Sequence, residues 1–312
     1  MENVNLGVFD TAKTYAGHLG KKGSVTDYAI YNYKAPESYL CAYEPTSFPE
    51  KISPLLYCAA MTDYQVLVPR APSKELGEMI VALDLLGKKA YVDNSTISAE
   101  EFRPFVKGTK IEAYETAPSE GPDAKNFFAG LRPARENRGL FIPVDSSFVV
   151  KSVGTVALGT VMGGTIAIHE ELEIFPSGKK FSARSFQVHD QDVKEAGPGA
   201  RIGIALKGIE VKDVGRGSII APAGTVKCAS SFEVEFEKSR FYQQEIKEGE
   251  TLSACIGMHY FSVKIKYIDG KKIGFVTVTG EKVALPDMPV FIAKAEAKMR
   301  IVGIGRKAVL LI

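Results

Sequence analysis

The stretch from Val153 to Gly178, VGTVALGTVMGGTIAIHEELEIFPSG, decides the fold of this chain of 312 residues. Short alternating apolar runs are separated here by glycine and proline turns, and helical patterns all but vanish from Gly139 onward. Glycine at a bend in a strand allows a tight turn and leaves space for a neighbouring strand. The stretch therefore predicts consecutive strands of a small closed barrel.

The residues before Gly139 have a different pattern, in which apolar runs alternate with helical periodicity, as in βα units. The segment SKELGEMIVALDLLG predicts a helix that Ser73 caps and Gly87 ends. Ser98 and Glu101 have the spacing of a capping box, which predicts the start of another helix. The segment KIEAYE, residues 110–115, predicts a strand. This part of the chain is therefore predicted to be α/β.

The change of pattern and a second block of strand signals divide the chain into three predicted domains. We expect an α/β domain over residues 1–139, a β-barrel over residues 140–225 and a second β-barrel over residues 226–312. The dipeptide Asp269-Gly270 is the strongest hairpin signal of the chain.

The composition excludes several classes of protein. With 45% hydrophobic and 24% charged residues, the chain has the balance of a soluble globular protein. It shows no signal peptide and no apolar stretch of about 18 residues, so we expect a cytoplasmic protein without a membrane partner. Its four cysteines are far apart and its four histidines lack helical spacing, so neither a metal site nor a disulfide framework is predicted.

The stretch 153–178 resembles the second-domain signature of the EF-Tu family of translational GTPases, with its core G-T-V-x-x-G-x-V-x-x-G. Residues 184–221, RSFQVHDQDVKEAGPGARIGIALKGIEVKDVGRGSIIA, extend the resemblance. Within the family, the segments RSFQVHDQDV, SRFYQQEIKEGE and RIVGIG are most similar to the SelB branch, including the SelB-like factors of methanogens proposed to serve pyrrolysine. The resemblance implies a P-loop GTPase-like α/β domain followed by two small antiparallel β-barrels.

The first nucleotide motif of such a GTPase is nearly present. Residues 7–14, GVFDTAKT, differ from G-x-x-x-x-G-K-[ST] only by Ala12 in place of the second glycine. The match makes Gly7, Lys13 and Thr14 the candidate nucleotide-binding residues, and the added methyl group of Ala12 narrows the phosphate cradle.

The other nucleotide motifs are degraded at the positions that the resemblance assigns to them. Residues 44–47, EPTS, stand at the D-x-x-G motif, and Phe48 stands where the family has its catalytic histidine. Residues 93–96, DNST, replace the guanine-reading N-K-x-D. A structural relic, a weak or altered nucleotide binder and a working GTPase all stay open. The sequence favours the relic, with no catalytic residue and no required cofactor, and leaves GTP with Mg²⁺ as the alternative.

The resemblance also implies a pocket for the amino acid carried by a tRNA. Carried over by position, this pocket is lined by Asp145, Ser146 and Phe148 of the stretch PVDSSF and by Arg201. SelB has a second arginine at the position of Ser146. The serine of this chain removes that positive charge and leaves more space, so the pocket favours an amino acid with a larger, neutral side chain, such as pyrrolysine, over selenocysteine. In the alternative interpretation, Asp145 and Arg201 simply pair with each other across a domain interface.

The last predicted barrel is basic, with 14 Lys and Arg against 10 Asp and Glu over residues 226–312. This surplus indicates either a polyanionic partner or ordinary solvated lysines. The resemblance implies contacts to tRNA phosphate and ribose from basic side chains of this barrel. The candidates are Lys264, Lys266, Arg300, Arg306 and Lys307.

Taken together, the residues and the resemblance predict a SelB-like translation factor that binds a specific aminoacyl-tRNA without efficient GTP hydrolysis. The expected partners are aminoacyl-tRNA and the ribosome, without DNA, and the expected state is a monomer. The alternative is a pseudo-GTPase binding module that docks on the ribosome or on a protein partner in translation.

Overall fold

The computed structural model describes residues 1–136 and 138–311, which form two compact units. Unit 1 comprises Met1–Ala134, Glu237–Gln244 and Ala293–Ile304, and unit 2 comprises Arg135–Phe236, Glu245–Ile292 and Gly305–Ile312. The three domain boundaries expected from the sequence stay predictions. Among the described residues, no helix has the length and apolar character that crossing a membrane requires.

Unit 1 is built on a seven-stranded sheet with the strand order β2-β3-β4-β1-β5-β6-β7. The strands are β1 (Glu2–Asp10), β2 (Lys21–Val25), β3 (Ala29–Lys34), β4 (Ser38–Glu44), β5 (Tyr64–Val68), β6 (Ala90–Val92) and β7 (Glu115–Thr116). The strands β4, β1, β5, β6 and β7 run parallel, whereas β2 and β3 join them as an antiparallel edge. Parallel strands bring their carboxyl ends to one edge of the sheet, where α/β proteins bind their ligands.

The helices of unit 1 are α1 (Tyr15–Leu19), α2 (Ser53–Met61), α3 (Lys74–Leu86), α4 (Ala99–Val106) and α5 (Pro122–Ala129). The predicted start and end of α3 are confirmed, because Ser73 Oγ accepts a hydrogen bond from the Leu76 amide and Gly87 has φ +66°. The capping box of α4 is also confirmed, with the Glu101 amide donating to Ser98 Oγ and the Ser98 amide donating to the Glu101 carboxylate.

The strand predicted over residues 110–115 is wrong for most of its length, because β7 covers only Glu115–Thr116. The chain turns after α4 instead. The Thr109 amide donates to the Val106 carbonyl at 2.9 Å, and the Glu112 amide donates to the Thr109 carbonyl at 3.1 Å. These local turns use backbone groups that a strand would have offered to a neighbour.

The β-rich remainder is antiparallel at each described strand pair. An eight-stranded sheet has the order β12-β11-β17-β8-β9-β16-β13-β14, two short pairs are β10-β15 and β18-β23, and a closed barrel has the order β19-β22-β21-β20-β24-β25. The strands of the sheet and of its short pair are β8 (Ile142–Val150), β9 (Gly154–Thr160), β10 (Ile166–Ala167), β11 (Glu171–Phe175), β12 (Lys179–Ser182), β13 (Phe186–Val188), β14 (Gln191–Val193), β15 (Glu195–Ala196), β16 (Arg201–Leu206) and β17 (Ile219–Pro222). The others are β18 (Lys227–Ala229), β19 (Ser231–Lys238), β20 (Thr251–Ile256), β21 (His259–Asp269), β22 (Lys272–Thr277), β23 (Val283–Leu285), β24 (Val290–Ala293) and β25 (Ile301–Leu310). The predicted fold class, an α/β domain with β-barrels, is confirmed.

Three glycines of the opening stretch, Gly159, Gly163 and Gly164, are required by close packing. A Cβ atom at Gly159 would lie 2.6 Å from the Pro143 carbonyl oxygen and 2.8 Å from a methyl group of Ile142. At position 159, strand β9 lies so close to β8 that a side chain larger than that of glycine would clash with it. The hairpin predicted at Asp269-Gly270 is confirmed, and its two-residue loop consists of Gly270, at φ +57°, and Lys271.

Candidate functional site

The loop after β1 carries the near-match to a phosphate-binding motif, and its first glycine lies inside the strand. A Cβ atom at Gly7 would lie 2.4 Å from Gln65 Oε1 and 2.7 Å from the ring of Phe9. The need for glycine at position 7 thus has a packing cause within the sheet.

A carboxylate of the protein accepts hydrogen bonds from the backbone amides at the end of this loop. Asp10, at the end of β1, has a fully buried side chain. Its Oδ1 accepts from the Ala12 amide at 3.0 Å, and its Oδ2 accepts from the amides of Thr14 at 3.0 Å and Tyr15 at 3.1 Å. Backbone amides at the start of a helix after a strand are the donors that hold phosphate in nucleotide-binding loops. Here the protein itself supplies the anion.

Arg70, which follows β5, is the counter-ion of Asp10. Its Nε and Nη2 donate to the two carboxylate oxygens of Asp10, each at 2.9 Å, which is the bidentate geometry of a strong pair. Arg70 Nη2 also donates to Thr14 Oγ1 at 2.8 Å, and Nη1 donates to Thr96 Oγ1 at 3.3 Å. Glu120 Oε2 lies 4.0 Å from the same guanidinium.

Electrostatics keeps Asp10 ionised in this buried position. Burial alone raises the pKa of the Asp10 carboxyl group, but the hydrogen bonds from Arg70 and from the loop amides outweigh burial, and the pKa falls to about 2. The hydrogen bonds that Arg70 donates to Asp10 in turn raise the pKa of Arg70. Sequence reasoning missed both residues. An acidic residue inside an anion-binding motif was the available signal for Asp10, whereas Arg70 had none.

The two other predicted nucleotide ligands are turned toward protein groups. Lys13 has φ +56°, and its Nζ donates to the Thr46 carbonyl at 2.6 Å. The Thr14 hydroxyl group donates to Asp10 Oδ2 at 3.1 Å while it accepts from Arg70. A cavity of about 320 Å³ lies beside this loop, and Asp10, Lys13, Phe48, Arg70, Ser73 and Glu75 are among its lining residues.

Two positions of the motif predicted over residues 44–48 serve packing. Glu44 ends β4 and is 2% exposed; its Oε2 accepts from the Tyr31 hydroxyl at 3.1 Å, and its Oε1 has no hydrogen-bond partner among the described residues. Burial raises the pKa of Glu44. Phe48, at the position where the resemblance predicts a catalytic histidine, is buried, and the Arg300 guanidinium lies 5.6 Å from its ring centre. A phenyl ring in this setting has no group that accepts a proton.

Arg300 was predicted to contact tRNA, but its side chain is enclosed within unit 1. Its Nε donates to Glu78 Oε1 at 2.9 Å and its Nη2 donates to Glu78 Oε2 at 2.5 Å. Its Nη1 donates to the Pro49 carbonyl at 2.8 Å. The side chains of Glu78 and Arg300 are 0% and 11% exposed. This placement favours a structural role and does not favour the predicted contact.

The predicted aminoacyl pocket in unit 2 is organised by an ion pair. Arg201 on β16 forms a bidentate pair with Asp145 on β8, and both side chains are almost fully buried. Ser146 Oγ donates to Asp145 Oδ1 at 2.9 Å, so the structure brings these predicted residues together. The pairing left open by the sequence is therefore present, but both residues belong to unit 2, so its expected place across a domain interface is wrong. Arg216, which sequence reasoning missed, donates from Nε to the Asp145 carbonyl at 3.1 Å.

Phe148 lies further along β8, at the start of an exposed apolar surface. Phe148 is 44% exposed and Val149 is 69% exposed. A cavity of about 460 Å³, called the β8 groove below, is lined by Val149, Val153, Gly154, Thr155, Leu206, Lys207, Gly208, Ile209, Glu210, Val211 and Lys212. Exposed apolar surface next to a cavity is typical of a binding site. The run Phe148-Val149-Val150, which breaks the strand alternation, was the available signal.

The remaining basic candidates lie on outer positions of the last strands. Lys264 and Lys266 are exposed and alternate along β21 with buried apolar residues, so they share one face. Lys307 is exposed and its Nζ lies 3.0 Å from Glu235 Oε1, while Arg306 is half-buried. Within the described residues, no group of three or more His, Cys, Asp or Glu side chains could hold a metal ion.

Known proteins resemble this chain in sequence and in fold. A family model described as elongation factor Tu domain 2 matches residues 154–221. An uncharacterized protein of Methanocaldococcus jannaschii is 33% identical over 315 residues, covering 98% of this chain and all of the relative. A selenocysteine-specific elongation factor of the same organism is 26% identical over 269 residues, covering 72% of this chain and 57% of its own length.

The solved structure of translation elongation factor SelB from Methanococcus maripaludis, in complex with the GTP analogue GppNHp, superposes with a TM-score of 0.82 at 21% identity. The superposition covers 98% of this chain and 79% of that one. At this identity the likeness shows a common fold.

Proposed function

The chain belongs to the SelB- and EF-Tu-like family of translation elongation factors, and we propose that it binds a specific aminoacyl-tRNA without efficient GTP hydrolysis. The observation that carries the proposal is the pairing, on the single strand β8, of a closed polar site at Asp145 with the exposed apolar β8 groove that begins at Val149. Four residues of strand span about 13 Å.

An aminoacylated RNA end suits such a pair of sites. Its terminal base offers a flat face that stacks on apolar side chains, and its phosphates attract lysine. The β8 groove offers Val149, Leu206 and Ile209 for the base, and Lys207 and Lys212 for the phosphates. The amino acid then points along β8 toward Asp145 and Arg201.

The charge of the polar site supports a neutral amino acid. Asp145 and Arg201 neutralise each other, and Ser146 adds a hydroxyl group that already donates to Asp145. A pocket with an internally paired charge does not attract an anion such as a selenolate. We therefore propose a bulky, uncharged amino acid, with pyrrolysine as a candidate.

GTP turnover has no support in the residues of unit 1. The amides of Ala12, Thr14 and Tyr15 already hold the Asp10 carboxylate, so the residues present do not fit a nucleotide phosphate group. The buried ring of Phe48 cannot orient an attacking water. The proposal thus needs no GTP or Mg²⁺. It implies a cytoplasmic location, where aminoacyl-tRNA is used, and the ribosome as the next partner.

Competition binding tests the proposal. We expect the protein to prefer aminoacyl-tRNA over the same tRNA after deacylation, and Val149→Asp to weaken binding by at least about tenfold, because a carboxylate then enters an apolar groove near phosphate. Val25→Asp is the matched control, since Val25 is also an exposed valine but lies in unit 1, outside the groove. Equal affinity for both tRNA forms would refute aminoacyl recognition. Recovery of ribosomes without tRNA enrichment would favour a pseudo-GTPase docking module, because the apolar groove also fits a protein segment.

A further inference from the structure

Arg70 lies where several loops of unit 1 converge at the carboxyl edge of the parallel strands. It contacts Asp10 and Thr14 after β1, Thr96 after β6 and Glu120 after β7. Lys13 ties the same loop to residue 46, after β4. Open α/β sheets use this edge for ligands. In this chain, the side chains of the protein connect the loops to each other.

We propose that the Asp10–Arg70 ion pair takes the place of a bound nucleotide in unit 1 and holds these loops in one arrangement at all times. We call this pair the Asp10–Arg70 clasp. In nucleotide switches, contacts to the terminal phosphate order the loops, and hydrolysis releases them. The clasp supplies the same kind of contact from two side chains of the protein, which, unlike a bound nucleotide, cannot leave the molecule.

The charges of the clasp exclude a competing phosphate. The Asp10 carboxylate is fully buried and accepts from three backbone amides as well as from Arg70. A phosphate group approaching these amides would meet a like charge and would have to displace a saturated acceptor. The Arg70 side chain is 23% exposed, and two of its nitrogens already donate to Asp10. The favourable donors of the loop are thus used within the fold.

The segment after α1 is ordered without a ligand as well. Strands β2 and β3 form an antiparallel hairpin with Lys21 opposite Asn32 and Val25 opposite Ala29. β3 continues into the sheet through its pairing with β4. The residues between α1 and β4 are therefore held by strand pairing, and no long loop remains there for a phosphate to order.

Hydrogen exchange of the full chain, followed by mass spectrometry, tests the clasp. In the wild-type protein we expect identical exchange at residues 10–15, 93–97 and 118–121 with and without GDP or GTP and Mg²⁺. In Arg70→Gln, we expect exchange in all three segments to rise by at least about tenfold, because two charge-assisted hydrogen bonds and the contact to Thr96 are lost.

Two further variants keep the test decisive. Thr96→Val removes a single contact to Arg70, so it should raise exchange at residues 93–97 and leave residues 10–15 unchanged. Lys89→Gln breaks an exposed ion pair with Glu115 in the same unit and should leave the three segments unchanged. If Arg70→Gln fails to fold, Thr96→Val still reports on the connection between the loops.

Two results would overturn the proposal. The first is protection of residues 10–15 by a nucleotide in the wild-type protein, and the second is unchanged exchange at residues 93–97 in Thr96→Val, whether or not Arg70→Gln folds. These measurements use no tRNA. A failure of aminoacyl-tRNA binding would therefore refute the proposed function and leave the clasp intact.

Discussion

Arg300→Met is expected to destabilise unit 1 strongly, because it removes the counter-ion of a buried carboxylate. Glu78 is fully buried and receives two guanidinium hydrogen bonds from Arg300, at 2.9 and 2.5 Å. Each hydrogen bond to a charged group contributes about 1.5–3 kcal/mol. Breaking a buried pair by removing one partner costs about 3–5 kcal/mol, since the remaining charge stays in the interior. We therefore expect a loss of about 4 kcal/mol.

The double variant Glu78→Met, Arg300→Met separates the buried charge from the packing. With both charges removed, the remaining losses are packing, the contact to Pro49 and the hydrogen bond that the Arg300 amide donates to Glu78, so this variant should regain most of the loss. Urea denaturation gives each free energy of unfolding from the midpoint at an unchanged slope. Lys110→Met, which breaks an exposed pair with Glu237, is the control and should cost less than about 1 kcal/mol.

An Arg300→Met protein within about 1 kcal/mol of the wild type would refute a large cost for the unpaired carboxylate. A double variant no more stable than the single one would refute it as well, since the loss would then come from packing and not from the unpaired carboxylate.

Three other perturbations test separate parts of the molecule. The pKa of Asp10 falls from 3.8 to about 2 on folding, so its ionised form contributes about 2 kcal/mol to the free energy of unfolding above pH 4, and this contribution is lost as the pH falls toward 2. The stability of Asp10→Asn should therefore lack this acid-dependent loss in unfolding curves measured between about pH 2 and pH 5. Parallel curves for the wild type and the variant would contradict the pairing of Asp10 with Arg70. Gly159→Ala should lower the free energy of unfolding by about 1–3 kcal/mol, because the new methyl group meets a backbone oxygen at 2.6 Å, whereas Gly215→Ala has open space and should change little. Lys264→Gln with Lys266→Gln should weaken tRNA binding and reduce the slope of log affinity against log salt by about one per lysine, and an unchanged slope would exclude them as phosphate contacts.

Elements with local signals could be predicted from the sequence. The ends of α3 and the capping box of α4 depend on residues within a few positions of each other, so Ser73, Gly87, Ser98 and Glu101 predicted them correctly. The strand predicted over residues 110–115 was wrong, because these alternating apolar residues form turns that backbone hydrogen bonds close. The spacing of apolar residues does not distinguish such turns from a strand.

The candidate sites could be predicted only in part. The resemblance brought Asp145, Ser146 and Arg201 to one place, and they lie together in unit 2. The β8 groove was missed, because its lining comes from separate strands and from residues 207–212. Exposure of Phe148 depends on which strands cover β8, and this is a property of the assembled sheet.

The sequence by itself determined the order of the α/β and β regions, the family resemblance and the loss of the nucleotide motifs, since spacing and periodicity are local properties of the chain. Only the tertiary structure decided which groups the residues near those motifs contact. Asp10 meets Arg70 across 60 positions, and Glu78 meets Arg300 across 222 positions, because folding brings distant segments to one place. The strength of an ion pair depends on the distance between the two charges and on their burial, so the pairing of residues so far apart in the sequence cannot be predicted before the fold is known.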